Sequence, residues 1–495
     1  MKLRDALAGV GAFEARGDDG VEISTVVHDS RAVQPGSLYC CVPGATADGH
    51  DFAAPAVEAG AAALLVERWL PAPGAEVPQV RVPRVRDVMG RIAAEVHGRP
   101  SDAVAVLGVT GTNGKTTTTY LLESIGRAAG IVPGVIGTIE TRIDGARLDV
   151  PLTTPEGPEL QALLARMRDQ GVGLVAMEVS SHALDLGRVE GTHFAAAAFL
   201  NLSHDHLDFH GTMDAYFEAK ARLFEAGRVS AAAVNVADPY GEALASRCEA
   251  AALPTLTYSI APDRGPADLT ARQVHLAAEG TSFVLDAPRF GPPTDVSTAL
   301  LGSFNVANVL AAITTALAAG IELEAAVAGV RYPVRVPGRF ERVDRGQAFT
   351  VIVDYAHTPD AITHALGAAR EIAEGGRVLV VFGCGGDRDR AKRPLMGAAA
   401  AAGADRLYVT SDNPRSESPE SIIVEVLSGV PAGVTPVVEA DRATAIAAAV
   451  GDARAGDVVV VAGKGHETGQ VIGETVIPFD DVQVAADALE QLGCD

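Results

Sequence analysis

The stretch Gly111-Thr112-Asn113-Gly114-Lys115-Thr116-Thr117 has the residue types of a phosphate-binding loop. Glycines let backbone N–H groups close around phosphate oxygens, and the N-terminus of a following helix adds partial positive charge. In that reading Lys115 reaches the outer phosphates and the Thr116 hydroxyl faces Mg²⁺. The match to G-x-x-x-x-G-K-[ST] is incomplete, because Val109 stands where the first glycine belongs. A chance Gly-Lys-Thr turn is the alternative. The flanks argue against it: an apolar run at 104–107 enters the loop and a helix-compatible stretch at 118–129 leaves it.

Other chemistry-bearing residues follow apolar runs in the same way. Glu178 follows 174–177, and Asn201 follows 195–200. Close behind comes His204-Asp205-His206-Leu207-Asp208-Phe209-His210, a run suited to metal or phosphate chemistry. Zinc is poorly served, with no cysteine nearby and the His-x-x-x-His spacing, His206 to His210, in a run that is not read as a helix. For His204 and His210 a structural role weighs as much as a functional one. His206 is read as functional, because the acid Glu178 also ends a strand beside the phosphate loop. Mg²⁺ prefers oxygen, so one imidazole would be a minority ligand. Lys220 sits in an amphipathic helical stretch at 215–224, and spacing alone makes it a solvated lysine.

Toward the C-terminus four apolar runs, 350–353, 378–382, 406–410 and 457–462, each end in a polar or glycine-rich turn. The turns are Asp354-Tyr355-Ala356-His357-Thr358-Pro359, Gly383-Cys384-Gly385-Gly386-Asp387-Arg388, Ser411-Asp412-Asn413-Pro414-Arg415 and Gly463-Lys464-Gly465-His466-Glu467. The alternation with helical segments is Rossmann-like. It lacks G-x-G-x-x-G at its first strand, so no dinucleotide is implied. Four such strand ends in one sheet converge on one cleft.

The elements that must position these residues form an α/β protein. Residues 1–102 read as a small domain, with strands at 21–27, 38–42 and 62–66, a helix at 53–63 and a loop at 71–74. Residues 103–336 alternate strands (104–110, 174–177, 195–200, 231–236) with helices (158–169, 215–224), the pattern of a parallel sheet covered on both faces. Pro333, Pro337 and Gly338 mark the break before 337–495.

With 48% apolar residues, the 495-residue chain can bury several cores. Its formal charge of −23 argues against nucleic-acid or acidic-membrane partners over the surface as a whole, while leaving room for a local basic pocket. The five cysteines form no C-x-x-C pair, which fits free thiols in a reducing cytoplasm. The N-terminus lacks a signal-peptide apolar core, and no apolar run approaches the ~20 residues of a membrane span. A soluble cytoplasmic protein is expected.

These motifs together resemble the Mur ligase family. Gly108-Val109-Thr110 before the loop, Met177-Glu178-Val179-Ser180-Ser181-His182, Asn201-Leu202-Ser203 and Asp205-His206-Leu207-Asp208 match it. So do Gly302-Ser303-Phe304-Asn305, Pro337-Gly338-Arg339-Phe340-Glu341, residues 354–360 and the turn 463–467. They span almost the whole chain in family order.

The resemblance implies three domains: an N-terminal UDP-binding domain (1–102), a central P-loop ATPase built on a parallel sheet (103–336) and a C-terminal Rossmann-like amino-acid-binding domain (337–495). Within the family the chain looks most like members that add the third peptide residue. The implied reaction joins diaminopimelate, the meso isomer favoured, to UDP-N-acetylmuramoyl-L-alanyl-D-glutamate. ATP is split to ADP and phosphate by way of an acyl phosphate. The implied setting is cytoplasmic peptidoglycan precursor synthesis, and through it cell shape and division. The implied partners are these small molecules and Mg²⁺, with no nucleic acid and no membrane insertion, for a monomer whose domains close around ATP.

Residue by residue, the resemblance places Lys220 at the position of a carbamylated lysine (N6-carboxylysine), whose carboxylate-like group helps hold Mg²⁺ with Thr116, Glu178 and His206. Lys115, Glu178, His206 and Lys220 become the catalytic set. Gly111, Thr112, Asn113, Gly114, Lys115, Thr116, Thr117, Asn305, Arg339 and Asp354 fall around ATP. Thr153, Thr154, Ser180 and Arg188 fall at the muramoyl dipeptide, and Ser30 with Ala45-Thr46-Ala47 at the uridine end. Arg388, Asp412, Asn413, Pro414, Arg415, Gly463 and Glu467 fall at diaminopimelate.

A physical argument supports the last group. Diaminopimelate is lysine with a second carboxylate at its far end, which a guanidinium such as Arg415 can grip in two parallel hydrogen bonds. Lysine would leave that guanidinium unpaired, at a cost of about 1–3 kcal/mol. Glu467 could take an ammonium, and Arg388 is a second carboxylate candidate. The alternative for Arg415 is a surface ion pair with Glu417. Rival functions are a lysine-adding or other superfamily ligase, such as a folylpolyglutamate synthase, and a non-catalytic nucleotide-binding switch. The switch would keep the phosphate loop but need not keep Glu178, His206, Lys220 and Arg415 together.

Overall fold

Short apolar runs bounded by polar turns become buried strands in two compact units, Met1–Thr270 with Leu310–Gly329, and Ala271–Val309 with Val330–Asp495. A computed structural model describes residues 1–44, 46–71, 76–261, 266–373 and 375–493. Ala45 of the expected uridine turn, residues 72–74 of the expected loop and Cys494 lie outside the described residues. No described helix is long and apolar enough to cross a membrane.

The first unit holds two sheets. In the smaller one the strands Glu14–Arg16, Gln79–Arg81, Ala61–Val66, Ser37–Cys40 and Thr25–Val27 lie side by side in that order. All pairs are parallel except the first. The helix expected at 53–63 spans only Ala53–Glu58, because the strand Ala61–Val66 takes the residues beyond. The helix Arg86–Val96 packs against the helix Gly157–Asp169. The ion pair Arg86–Glu156 fastens this contact, and Arg91–Glu190 ties the helix Arg86–Val96 to a separate turn at 186–190.

In the larger sheet of this unit the parallel strands run Thr255–Ser259, Ala232–Asn235, Ala196–Phe199, Ala105–Thr110, Leu174–Glu178 and Pro133–Ile136. Antiparallel Thr141–Ile143 and Ala146–Leu148 follow at one edge. Ala105–Thr110 and Leu174–Glu178 are central and covered on both faces, which is why each is an almost unbroken apolar run. Val109 is fully buried inside the first of these strands. The glycine missing from the P-loop pattern therefore falls where the chain is still extended, and the loop proper is Gly111–Gly114.

In the second unit the strands Glu341–Val343, Thr350–Asp354, Val458–Ala462, Val378–Phe382, Arg406–Val409 and Val437–Val438 form one sheet in that order. All pairs but the first are parallel. Strand alternation sorts its side chains. Ile352, Val380 and Val460 pack on one face with the helices Pro359–Ile372, Lys392–Gly403 and Pro419–Leu427. Val351, Val353, Leu379, Val381, Val459 and Val461 pack on the other with Arg442–Asp452 and Asp481–Gln491. The alanine run at 398–402 is helical, as its composition suggests. The parallel register brings the four polar turns to one edge.

A buried ion pair braces that edge. Arg442 and Asp481 are both withdrawn from solvent and meet through two hydrogen bonds of 2.7 and 2.6 Å. Arg442 also donates to the carbonyls of Ser411 (3.3 Å) and Ala462 (3.0 Å), at two strand ends. Removing one member strands the other charge in a dry interior. Arg442→Met is expected to lower the unfolding free energy by about 3–5 kcal/mol, measured by urea denaturation. A loss below about 1 kcal/mol, the level of an exposed pair, would show that the pair is not bracing the edge.

Candidate active site

In the first unit the phosphate loop is tied to the neighbouring strand end. Asn113 and Asn201 exchange hydrogen bonds, Asn113 N–H to Asn201 Oδ1 at 2.9 Å and Asn201 Nδ2 to the Asn113 carbonyl at 3.1 Å. The Thr112 N–H donates to the Asn201 carbonyl at 3.0 Å, and the Thr112 hydroxyl accepts from Ser203 N–H at 3.0 Å. Gly114 enters the helix Lys115–Ala128 with φ +91°, a conformation that favours glycine. The first-turn N–H groups and Lys115 thus sit at the carboxyl edge of the sheet, where α/β proteins bind ligands.

Glu178 is buried beside this helix start, 1% exposed. Its Oε1 accepts from the Thr116 hydroxyl at 3.0 Å and from Thr138 N–H at 2.9 Å, and its Oε2 accepts from the Thr138 hydroxyl at 2.9 Å. A Cβ on Gly137 would come within 2.7 Å of Oε1, so a larger residue there would push the carboxylate from this position. The dipeptide candidates join this network. Thr153 contacts the Thr138 hydroxyl at 3.2 Å, and the Thr154 hydroxyl donates to the Glu178 carbonyl at 2.9 Å and accepts from Ser180 N–H at 3.3 Å. Arg188 bonds the Thr154 carbonyl (3.3 Å) and Glu156 (3.0 Å). Ser30, in the short helix Ser30–Ala32, and the exposed Thr46 and Ala47 make no side-chain hydrogen bond to this network among the described residues.

Lys220 is not the solvated lysine that spacing suggested. It is 1% exposed, donates to the Gly111 carbonyl at 2.9 Å and lies 4.6 Å from the centre of the Tyr216 ring. Lys115 donates to the same carbonyl oxygen at 2.9 Å and to that of Thr112 at 2.9 Å. Burial, then the neighbouring Lys115 charge, holds the Lys220 amine well below the usual lysine range, against a weaker pull from Asp205. His206 has φ +52°, a conformation rare outside glycine, and pairs loosely with Asp205 at 3.4 Å. Burial lowers its pKa, with Asp205 opposing and Lys115 and Lys220 reinforcing. His210 contacts the Ser181 hydroxyl at 3.0 Å and stacks on Tyr216, a packing role, while His204 is exposed.

Among the described residues no trio of His, Cys, Asp or Glu side chains forms a metal cage. The Thr116 hydroxyl and Glu178 carboxylate do offer oxygen donors suited to Mg²⁺, a cation that keeps waters and shares substrate phosphates. A charged Lys220 would not fit such a site. Carbamylated, it would.

In the second unit the four strand-end turns interlock. Gly463 N–H donates to the Asp354 carbonyl at 3.1 Å and Gly386 N–H to the Asn413 carbonyl at 2.9 Å. Asp354 accepts from Phe340 and Ala356 N–H groups at 2.7 and 2.8 Å, and burial raises its pKa against the pull of Arg339. Arg339 stacks its guanidinium 4.5 Å over the Tyr355 ring. The Asn305 amide is buried and spent within its own helix region, donating to the Leu301 carbonyl and accepting from Asn308, both at 2.8 Å. Arg415 does not pair with Glu417. Glu417 is taken by the fully buried Arg393, at 2.7 and 3.0 Å, and by Asp387 N–H. Arg415 instead has φ +52° and donates to the Gly386 carbonyl at 2.7 Å. Asn413 donates to Glu467 Oε2 at 2.8 Å, and burial raises the Asp412 pKa against Arg442 and Lys464. Pro414 and Gly463 shape these turns, and Arg388 is exposed.

Sequence reasoning passed over Gly137 and Thr138, the orienting partners of Glu178. They follow the strand Pro133–Ile136, which begins with proline and glycine and so carries a weak strand signal. Once that strand is recognised, the strand-end rule points to both. Arg393 and Lys464 were also missed as site-building groups.

Three family models match successive stretches of the chain: the Mur ligase family catalytic domain over 22–97, the Mur ligase middle domain over 109–316 and the Mur ligase glutamate ligase domain over 338–465. The chain is 46% identical to a UDP-N-acetylmuramoyl-L-alanyl-D-glutamate--2,6-diaminopimelate ligase of Geobacillus thermodenitrificans, over 99% of this chain and 100% of that protein. It is 48% identical to the ligase of the same description from Streptomyces coelicolor, over 96% and 94%. A solved structure of a ligase of this description matches 100% of this chain and 99% of its own, with a TM-score of 0.75 and 33% identity.

The Glu178 network generates a test. Thr138→Val keeps the side-chain shape and removes the hydroxyl bond to the carboxylate. Hydrogen bonds to charged groups are worth about 1.5–3 kcal/mol, so ATP-dependent turnover is expected to fall about tenfold or more with little change in melting temperature. Unchanged turnover would mean that Glu178 is oriented without Thr138.

Proposed function

This chain belongs to the Mur ligase family, and from that premise we propose that it joins 2,6-diaminopimelate to UDP-N-acetylmuramoyl-L-alanyl-D-glutamate at the expense of ATP. The observation that carries the choice of amino acid is Arg415, held in a left-handed turn beside Asn413 and Glu467, its guanidinium donating to the Gly386 carbonyl and hydrogen-bonded to no carboxylate among the described residues, with Asp387 acting on it only through space. A guanidinium placed so suits a carboxylate that lysine lacks. The division into domains 1–102, 103–336 and 337–495 is part of this reading, supported by the three matched segments.

A carboxylate resists attack by an amine because its leaving group is poor. Transfer of the γ-phosphoryl group of ATP to the acceptor carboxylate gives an acyl phosphate and ADP. The donor amine then adds to the acyl carbon, loses a proton and expels phosphate, leaving the amide. The protein's work is positioning and charge neutralisation. The loop N–H groups of 111–117 and the Lys115 ammonium would cradle the phosphates. Thr154, Ser180 and Arg188, already linked to the Glu178 carbonyl, would hold the dipeptide beside them. Arg339 and Asp354 are proposed to meet the nucleotide.

Thr116, Glu178, His206 and carbamylated Lys220 would hold Mg²⁺, which when bound neutralises phosphate charge. Two features of Lys220 support its modification. Burial and the nearby Lys115 favour the neutral amine, the form that can add to carbon dioxide, and the modified group would turn a misplaced cation into an oxygen donor. Work as a monomer in the cytoplasm, on small-molecule substrates only, completes the proposal.

The test is phosphate release by the purified protein. It is expected only when ATP, the UDP-muramoyl dipeptide and diaminopimelate are present together. Release from ATP alone, indifferent to the other two, would favour a nucleotide switch. Two variants separate the ends of the reaction. Lys115→Ala should abolish ligation, and near-normal ligation would contradict its phosphate role. Arg415→Ala should lower kcat/KM for diaminopimelate by about tenfold or more, the scale of a lost charged hydrogen bond, and leave ATP binding within twofold. Equal loss of both would count against its assignment.

A further inference from the structure

The side chain of Lys464 is fully buried, yet every proton of its ammonium is spoken for. It donates to Asn413 Oδ1 at 3.1 Å, to Glu467 Oε2 at 3.1 Å and to the Gly469 carbonyl at 2.6 Å. A lysine with no donor left is not a substrate ligand. What it does is join three pieces of chain, the Ser411–Arg415 turn, the Gly463–Glu467 turn and the hairpin that starts at Gly469.

That hairpin pairs Gly469–Ile472 with Thr475–Pro478, and its outer strand is exposed throughout. It adds nothing to the core, but its inner strand grips the turn that carries Arg415. Val471 N–H donates to Asn413 Oδ1 at 2.9 Å, and Gln470 Nε2 donates to the Asp412 carbonyl at 2.7 Å. Arg415 N–H donates to the Val471 carbonyl at 3.0 Å, and Gly473 N–H to the Arg415 carbonyl at 2.7 Å. Both backbone groups of Arg415 are therefore fixed by the hairpin. Arg415 needs this, because its φ of +52° is unfavourable for a residue with a Cβ.

We propose that Lys464 and the hairpin Gly469–Pro478 form the device that sets donor specificity, by holding Glu467 and the strained Arg415 at a fixed separation. The inference rests on the reading of the site as a diaminopimelate site. Lys464 draws Glu467 Oε2 inward with Asn413 and leaves Oε1 for a donor ammonium. The hairpin holds Arg415 in the backbone conformation from which its guanidinium reaches the Gly386 carbonyl. Lys464 is a positioning residue: it acts through Asn413, Glu467 and Arg415.

The experiment compares wild type with Lys464→Met, which keeps the stem and removes the charge. KM for diaminopimelate is expected to rise about tenfold or more and the preference for diaminopimelate over L-lysine to shrink. KM for ATP and for the UDP-muramoyl dipeptide should stay within twofold. A folded Lys464→Met protein with an unchanged diaminopimelate KM overturns the proposal, as does an equal rise in all three KM values. If Lys464→Met does not fold, Val471→Pro decides. It deletes one N–H aimed at Asn413 and leaves Lys464 in place, and a normal donor KM there is equally fatal. Failure of the wild type itself to use diaminopimelate removes the reading of the site and this proposal with it, an outcome distinct from a normal wild type with normal variants.

Discussion

Parallel strands end together. Their last carbonyl and N–H groups have no further ladder to join, so the turns beyond them must supply partners or leave those groups to a ligand. Both units of this chain are built on that constraint. In the first, Thr110, Glu178 and Phe199 close adjacent strands, and the phosphate loop, the Thr138 network and Asn201 take up the groups beyond. In the second, Asp354, Ala462, Phe382 and Val409 close four neighbouring strands, and their turns hydrogen-bond to one another. Sites arise where the backbone runs out of partners.

The same edges hold the chain's buried cations. Arg393, Arg442, Lys220 and Lys464 are among its largest fully buried side chains, in a protein with a formal charge of −23. Burying a charge is costly unless it is paired or bonded. Arg442 meets Asp481, Arg393 meets Glu417 and Glu425, and Lys464 meets Glu467. Lys220 alone of these four meets only a carbonyl and an aromatic ring among the described residues. Its environment disfavours the cation, consistent with a lysine that works as something other than an ammonium.

Much of this was legible in the sequence. The apolar runs at 104–110, 174–177, 378–382 and 457–462 are strands within a residue of their expected ends, because short apolar runs bounded by turn residues have few other ways to be buried. Strand-end position alone pointed to Glu178, to Asn201 and to the four turns in which Asn413 and Glu467 lie. What escaped notice has physical reasons. Pro133-Gly134 hid a strand, and with it Thr138. Lys220 and Lys464 are polar residues whose burial depends on what packs over them, which no local pattern records. The pairing of Glu417 with Arg393 rather than Arg415 is a choice between two nearby cations that only the fold makes.

The most direct measurement is the identity of the amide that forms when one preparation of the protein, with ATP, Mg²⁺ and UDP-N-acetylmuramoyl-L-alanyl-D-glutamate, is offered meso-diaminopimelate, LL-diaminopimelate and L-lysine together at equal concentration. The mass and stereochemistry of the product read out which amine was chosen. Incorporation of diaminopimelate with lysine excluded is the expected result, and it identifies the isomer used. Incorporation of lysine at a comparable rate would contradict the role given to Arg415 and the turn that holds it.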